Sequence, residues 1–337
     1  MHAVTAERHK KPGVSYAVTD DGLELPVIDV THPAFAIAPT DDELDVLTQA
    51  FGQMVEASKL VTSDAQRLAM RQQMDSSRIG RGLMAGMGTF LTGMNTYLLK
   101  IGADNLGDYA VELDRQIASS LPAISMRMRG QNMARLQADA LAPALARGGH
   151  RPLHFVNIAG GPAIDTVNAL ILLRRDQPAL LEGRTIAIHV FDQDVAGPSF
   201  GMRALAALRA EGALQGLDVT FSLIPYDWRH PQHLADTLAS FDLANAIWAA
   251  SSEGGLFEYG SDDDIVANLR VLRACAPGGT VTGSVTRLDG PGALSRSLTG
   301  LALMPRSLDA FTDLARAGGW TVDQAITMPF SLDVRLT

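Results

Sequence analysis

The sequence predicts an α/β protein, with a mostly parallel sheet of about seven strands, an antiparallel C-terminal strand and a helical N-terminal half. Three observations predict it. Beyond Gly148-Gly149, short apolar runs alternate with helical patterns, whereas helical spacing dominates before them. Residues 166–173 form a helix pattern apolar nearly all round, as a helix pressed onto a sheet must be. Only Met328-Pro329-Phe330-Ser331 separates the last two strand patterns, enough for a hairpin but not for a parallel crossover.

In the first half, Asp41, Asp42 and Glu43 place negative charge at a helix start. Leu44, Leu47, Phe51, Met54 and Val55 follow at helical spacing. Further helices are expected over 63–77 and 122–146. Between them, residues 80–94 carry glycines at 80, 82, 86, 88 and 93 and methionines at 84, 87 and 94. Such a stretch is either a loosely packed helix pair in the core or a mobile cover over a ligand pocket. In the second half, strands are expected over 153–158, 185–191, 219–224, 243–249, 280–286, 320–327 and 332–336. Helices are expected over 166–173, 200–213, 233–241 and 307–317. Another starts at Ser261, with Asp264 completing a capping box, and stops at Ala276-Pro277-Gly278-Gly279. This grammar divides the chain into 1–149, a helical lid, substrate or dimerisation region, and 150–337, the sheet domain.

Composition narrows the function. A net charge of −9 over 337 residues opposes a nucleic-acid partner, which calls for a basic surface. No apolar run approaches the ~20 residues of a membrane span. A single cysteine, Cys275, and a polar segment 1–13 without a signal-peptide core point to a cytoplasmic protein.

Four segments carry chemistry. Val156-Asn157-Ile158-Ala159-Gly160-Gly161-Pro162-Ala163 leaves a strand and enters a helix through small residues, so backbone can approach a ligand. Phe191-Asp192-Gln193-Asp194 ends the next strand, where a carboxylate accepts both hydroxyls of a ribose. Asp192 lies 31 residues beyond Gly161, whereas a dinucleotide fingerprint places its acid about 20 residues on, which disfavours a nicotinamide enzyme. Tyr226-Asp227-Trp228 is either an adenine-binding turn or a surface turn with an aromatic anchor. Residues 251–260 (Ser251-Ser252-Glu253-Gly254-Gly255-Leu256-Phe257-Glu258-Tyr259-Gly260) either border the reacting centre or cap the next helix. Arg78, Arg81 and Tyr97 flank the glycine-methionine stretch and suit a substrate carboxylate, although exposed arginines are commonly just solvated. His230 and His233 lack a third partner for a metal, so no metal site is expected. His154 and His189 read as satisfied strand histidines, and Arg127, Arg129 and Arg135 as a solvated or subunit-facing helix surface.

Taken in order, the glycine turn, the acids after strands two and three, the Pro-Gly-Gly before strand five and the antiparallel last strand resemble a known family. Residues 150–337 are similar to the class I (Rossmann-like) S-adenosylmethionine-dependent methyltransferases. The resemblance implies S-adenosyl-L-methionine as cofactor and S-adenosyl-L-homocysteine as product. Asn157, Ala159, Gly160 and Gly161 would face the methionine part, Asp192 and Gln193 the ribose, and Tyr226, Asp227 and Trp228 the adenine. Ser251 and Ser252 would border the cofactor, and Glu253 and Tyr259 would touch cofactor or acceptor as the catalytic pair. The chain departs from the family where Asn157 replaces the usual acid and Ala159 and Ala163 replace usual glycines. The replaced acid keeps open an alternative in which the cofactor cyclises or gives up its aminocarboxypropyl group, releasing methylthioadenosine; a non-catalytic sensor that retains cofactor binding is a further alternative. The expected acceptor is a small, specialised metabolite, and the N-terminal helices are expected to join two copies as a homodimer.

Overall fold

The computed structural model describes residues 10–275, 278–294 and 298–337. Of the tetrapeptide before the fifth expected strand, Ala276 and Pro277 lie outside them, as do residues 1–9 of the polar segment 1–13. A small hairpin opens the described chain, β1 (Tyr16–Val18) with β2 (Glu24–Pro26). Six helices follow: α1 (Asp41–Lys59), α2 (Asp64–Asp75), α3 (Arg78–Gly86), α4 (Gly93–Ile101), α5 (Glu112–Ala118) and α6 (Leu121–Arg147). Thr40 and Glu43 close a capping box on α1, and Ser63 with Gln66 closes another on α2. The glycine-methionine stretch is therefore α3, a turn over 87–92 and the start of α4.

The second half alternates as expected. In order come β3 (Leu153–Ile158), α7 (Ile164–Asp176), β4 (Thr185–Asp192), α8 (Ala196–Glu211), β5 (Asp218–Pro225) and α9 (Pro231–Leu238). Then follow β6 (Ile247–Ser252), α10 (Leu256–Tyr259), α11 (Asp262–Cys275), β7 (Thr280–Thr286), α12 (Leu308–Ala317), β8 (Val322–Thr327) and β9 (Ser331–Leu336). One strand starts later than expected: Leu243–Asn245 is a 3-10 turn, and pairing begins at Ile247, whose N–H donates to Pro152 O at 2.8 Å. Ser261 and Asp264 exchange capping hydrogen bonds at the head of α11.

Among the described residues the main sheet has seven strands in the order β5-β4-β3-β6-β7-β9-β8. All neighbours through β7 are parallel; β9 runs antiparallel to both β7 and β8. The order reverses between β3 and β6, which opens a crevice at their carboxyl ends. Strand alternation sorts β3 to two cores: Leu153 and Phe155 pack beneath α6, α7 and α8, and Val156 and Ile158 beneath α11 and α12. Helix α7 is buried from Ile164 to Leu173, as its all-round apolar pattern demands. Helix α6 lies on the sheet against α7, β6, β7 and β9, so residues of both halves share one core.

Candidate functional site

A cavity lies over the crevice between β3 and β6, roofed by the segment joining α3 to α4. Its floor is the glycine turn, Ala159 to Pro162. One end is formed by Asp192, Gln193 and Asp194 and the other by Lys100, Glu253, Gly254 and Gly255. Phe90, Leu91, Thr92 and Gly93 form the roof, with Trp228 and Tyr259 at the sides.

The glycine turn is tight because β3 must pass into α7 within five residues. Ala159 and Ala163 both take left-handed backbone, φ 54° and 53°, which costs a non-glycine residue about 1–2 kcal/mol each. Gly161 (φ 56°) has no such cost, and a Cβ there would lie 2.6 Å from the Cα of Gly93. The roof thus rests directly on the floor at this point. Asp194 holds it there, its Oδ2 accepting from the N–H groups of Gly93 (3.1 Å) and Gly197 (3.2 Å). The roof is also strapped from outside, where Gly88 N–H donates to Gly300 O and Ala302 N–H to Thr89 O.

Asp192 sits where strand β4 ends. Its Oδ2 accepts from Gly161 N–H at 2.9 Å and its Oδ1 from Asp194 N–H at 2.8 Å. Burial pushes its pKa up to about 6, against the lowering effect of those backbone bonds. Below the turn, Asn157 faces α6 and α7, and its Nδ2 donates to Asp165 Oδ1 (3.0 Å), Thr166 Oγ1 and Ser251 Oγ (2.9 Å). Its Oδ1 has no partner, and it points at Gly160, where a Cβ would meet it at 2.1 Å. Asp165, from the first turn of α7, is buried beneath the floor with Asn157 and also receives Gln137 Nε2 at 3.0 Å; neither residue lines the cavity. Burial raises the pKa of Asp165.

Glu253 does line the cavity, but its carboxylate is committed. Lys100 Nζ donates to one oxygen, and Arg129 Nε donates to the other at 2.5 Å. Arg129 continues to Glu258 at 2.9 Å. Burial alone would raise the pKa of Glu253, but Lys100 and Arg129 bring it down to about 2. So firmly held an anion is a poor proton acceptor. Tyr259 also lines the cavity, and burial together with the charge of Glu258 raises its phenol pKa. Behind the pair, Asp333 accepts from Asn132 (2.9 Å) and Ser331 (2.8 Å), and burial pushes its pKa up to about 7.

The structure gathers Ala159, Gly160, Gly161, Asp192, Gln193, Trp228, Glu253, Tyr259 and Tyr97 at one cavity. Other expected site residues lie elsewhere. Tyr226 is core, its hydroxyl donating to Asn268 Oδ1. Asp227 turns outward to Arg229, whose side-chain hydrogen bonds hold its pKa down. Ser251 lies beneath the floor, and Ser252 donates to Ile158 O and accepts from Leu256 N–H, capping α10. Arg78 pairs with Asp21 and Arg81 with the Asp75 carbonyl, both outside the cavity. Tyr97 lines the wall with its hydroxyl spent on Pro26 O and Ile28 N–H. Arg129, expected on a surface, is buried because two carboxylates claim it. His154 and His189 bond each other at 3.1 Å and stack near Phe241. Among the described residues no group of three or more His, Cys, Asp or Glu is placed to hold a metal, and no helix is long and apolar enough to cross a membrane.

Two site residues were missed from the sequence, Lys100 and Asp194. A signal for the first existed: Lys100 is the one charge in the apolar run Tyr97-Leu98-Leu99-Lys100-Ile101, and a buried lysine needs a partner.

No protein-family model and no curated protein matches this chain. Several solved structures are similar to it. The 1,6-didemethyltoxoflavin-N1-methyltransferase of Burkholderia thailandensis, with bound S-adenosylhomocysteine, is 18% identical over 60% of this chain and 77% of its own, TM-score 0.38. The pyocyanin biosynthetic protein PhzM is 17% identical, TM-score 0.38, over 64% of this chain; the alignment spans only 57% of that protein. An O-methyltransferase from neocarzinostatin biosynthesis, with S-adenosylhomocysteine and 1,4-dihydroxy-2-naphthoic acid, is 16% identical over 83% and 98%, TM-score 0.42.

Proposed function

We propose that this chain is a methyltransferase that takes its methyl group from S-adenosyl-L-methionine and passes it to a small-molecule acceptor. One observation carries the reading: Asp192, at the end of β4, faces the same cavity as the glycine turn, at the point where the strand order reverses. The site residues suit that cofactor. Gly160 and Gly161 offer backbone at a place where a Cβ would collide, Asp192 offers a carboxylate to ribose hydroxyls, and the Trp228 ring offers a face to adenine. When bound, the sulfonium supplies an electrophilic methyl group.

The remaining chemistry falls to this chain's own side chains, and it is mainly positioning. Glu253 is neutralised by two cations and the Tyr259 phenol is held protonated, so neither takes a proton readily from the acceptor. Both instead fix the wall against which an acceptor lies. Phe90 meets Tyr259 edge to face, with centroids 6.2 Å apart, and covers part of that wall while its own ring stays exposed. In-line approach and water exclusion then provide most of the rate. The alternative of a self-reacting cofactor drew on the acid missing at Asn157; Asn157 lies beneath the floor, bonded to Asp165, Thr166 and Ser251 and outside the cavity lining, so that feature does not favour the alternative. We further propose that α1 and α2 join two copies, since Val46, Met54, Leu68 and Met70 are exposed on them, Leu60 is exposed at the C-cap of α1, and α2 has no buried residue.

The test is to incubate the purified protein with S-adenosylmethionine, alone and with hydroxylated and amino-substituted aromatic acids, and to identify the sulfur products by mass spectrometry. S-adenosylhomocysteine formed only with an acceptor is expected. Methylthioadenosine without one, or no binding of S-adenosylhomocysteine in a calorimeter, overturns the reading.

A further inference from the structure

The cavity is lined by three acids and, among the described residues, one base. Asp192 and Asp194 lie at one end, and Lys100 lies with Glu253 at the other. Lys100 comes from the last turn of α4, one turn beyond Tyr97, so both face the cavity from the same side of the helix. Its side chain is 9% exposed. Burying an ammonium is unfavourable unless it is paired, and Lys100 is paired once, to Glu253.

Charge balance alone does not single out Lys100: Arg129 donates to the other oxygen of Glu253 and bridges on to Glu258, so two cations face two carboxylates. Lys100 is placed on the cavity wall, with three N–H donors of which Glu253 takes one. Arg129 and Glu253 hold the ammonium in place from behind, and its remaining donors are left for whatever enters. An ammonium so placed is a point-charge site for an anionic oxygen. The opposite end of the cavity is acidic and rich in backbone, which repels an anion there. A ligand carrying a carboxylate is thereby oriented with that group toward Lys100.

We propose that Lys100, positioned by Glu253 and Arg129, is the carboxylate-binding group of this cavity. Arg78 and Arg81, expected from the sequence to bind a substrate carboxylate, lie outside the cavity, and this proposal puts that role on Lys100 instead. The carboxylate has two sources, the aminoacyl end of the cofactor or the acceptor itself. The first rests on the methyltransferase reading; the second does not.

The experiment uses the full chain, as wild type and as the variants Lys100→Met, Lys100→Gln and Lys100→Arg, with folding checked by circular dichroism. Calorimetry compares S-adenosylhomocysteine with its decarboxylated analogue, S-adenosyl-3-thiopropylamine. Thermal stabilisation compares benzoate with benzamide. Wild type should prefer the carboxylate of at least one pair by about 10- to 100-fold, the span of a charge-assisted hydrogen bond. Lys100→Met and Lys100→Gln should bring that preference to within about 3-fold, and Lys100→Arg should keep most of it. A structural role alone would alter stability and leave the ratio intact. Loss of discrimination in the nucleoside pair assigns the site to the cofactor, and loss in the benzoate pair assigns it to the acceptor. If wild type binds neither nucleoside but discriminates benzoate through Lys100, the carboxylate site stands and the methyltransferase reading falls. Equal ratios in wild type and in whichever uncharged variant folds, or no preference in either pair, overturn the proposal.

Discussion

Replacing Asp192 by asparagine preserves the side-chain shape, removes the charge, and separates what this residue does for folding from what it does for binding. In the fold, its two oxygens accept from Gly161 N–H and Asp194 N–H. Asparagine can accept only one of these, leaving the other donor against an amide N–H at a cost of about 1–3 kcal/mol. Burial acts in the opposite direction. The carboxyl pKa is pushed from 3.8 to about 6, so at pH 7.5 the fold holds an anion it disfavours by roughly 3 kcal/mol. The sign follows from the direction of the shift: a raised acid contributes stability below 3.8, and that contribution is lost as pH rises through about 6. Asparagine does not titrate, so its gain and loss nearly cancel. The variant should unfold in urea at pH 7.5 within about 2 kcal/mol of wild type, with a shallower decline between pH 4 and 7. Binding has no such compensation. Losing charged hydrogen bonds to two ribose hydroxyls should weaken S-adenosylhomocysteine by about 1.5–3 kcal/mol, roughly 10- to 150-fold, in calorimetry. Wild-type affinity should itself fall about 10-fold per pH unit below 6, where the carboxyl is protonated. Unchanged affinity in the variant, or a stability loss beyond about 4 kcal/mol, would refute this division of roles.

Three further outcomes are expected. Gly161→Ala puts a Cβ 2.6 Å from Gly93 on a left-handed backbone; residues 87–93 should exchange their amides faster and stability should fall by at least about 1–2 kcal/mol, and wild-type protection would contradict the roof contact. Glu253→Ala strands Lys100 and should cost about 3–5 kcal/mol at neutral pH. Because the Glu253 pKa is lowered from 4.5 to about 2, the difference should be fully present above pH 4.5 and shrink as pH falls toward 2; urea unfolding at pH 3 to 7 checks both. If α1 and α2 join two copies, the paired change Leu60→Glu with Leu68→Glu should yield a monomer in sedimentation velocity, because these residues are 74% and 57% exposed; a wild-type monomer would exclude the interface.

Local chemistry sufficed for the elements that repeat a period. Strands β3 and β7 match their expected bounds because runs rich in β-branched and apolar residues are bounded by glycines, Gly160-Gly161 after β3 and Gly278-Gly279 before β7. The antiparallel edge followed from a link too short for any crossover, and the glycine turn with Asp192 followed from residue types that strand ends confine to one crevice. Other site features were not legible because they depend on partners distant in sequence. Glu253 reads as a free carboxylate until Lys100, 153 residues away, and Arg129, 124 away, are folded against it. Asn157 reads as a cavity group until Asp165, Thr166 and Ser251 take its amide beneath the floor. Arg78 and Arg81 read as ligand groups until Asp21 and the Asp75 carbonyl occupy them. The sequence by itself determined which segments alternate, which face of each is apolar and where the ligand crevice must open, since periodicity and chain length decide these locally. Only the tertiary structure decided which charges face that crevice and which are neutralised behind it, because burial and pairing, not residue type, set the state of a charged group.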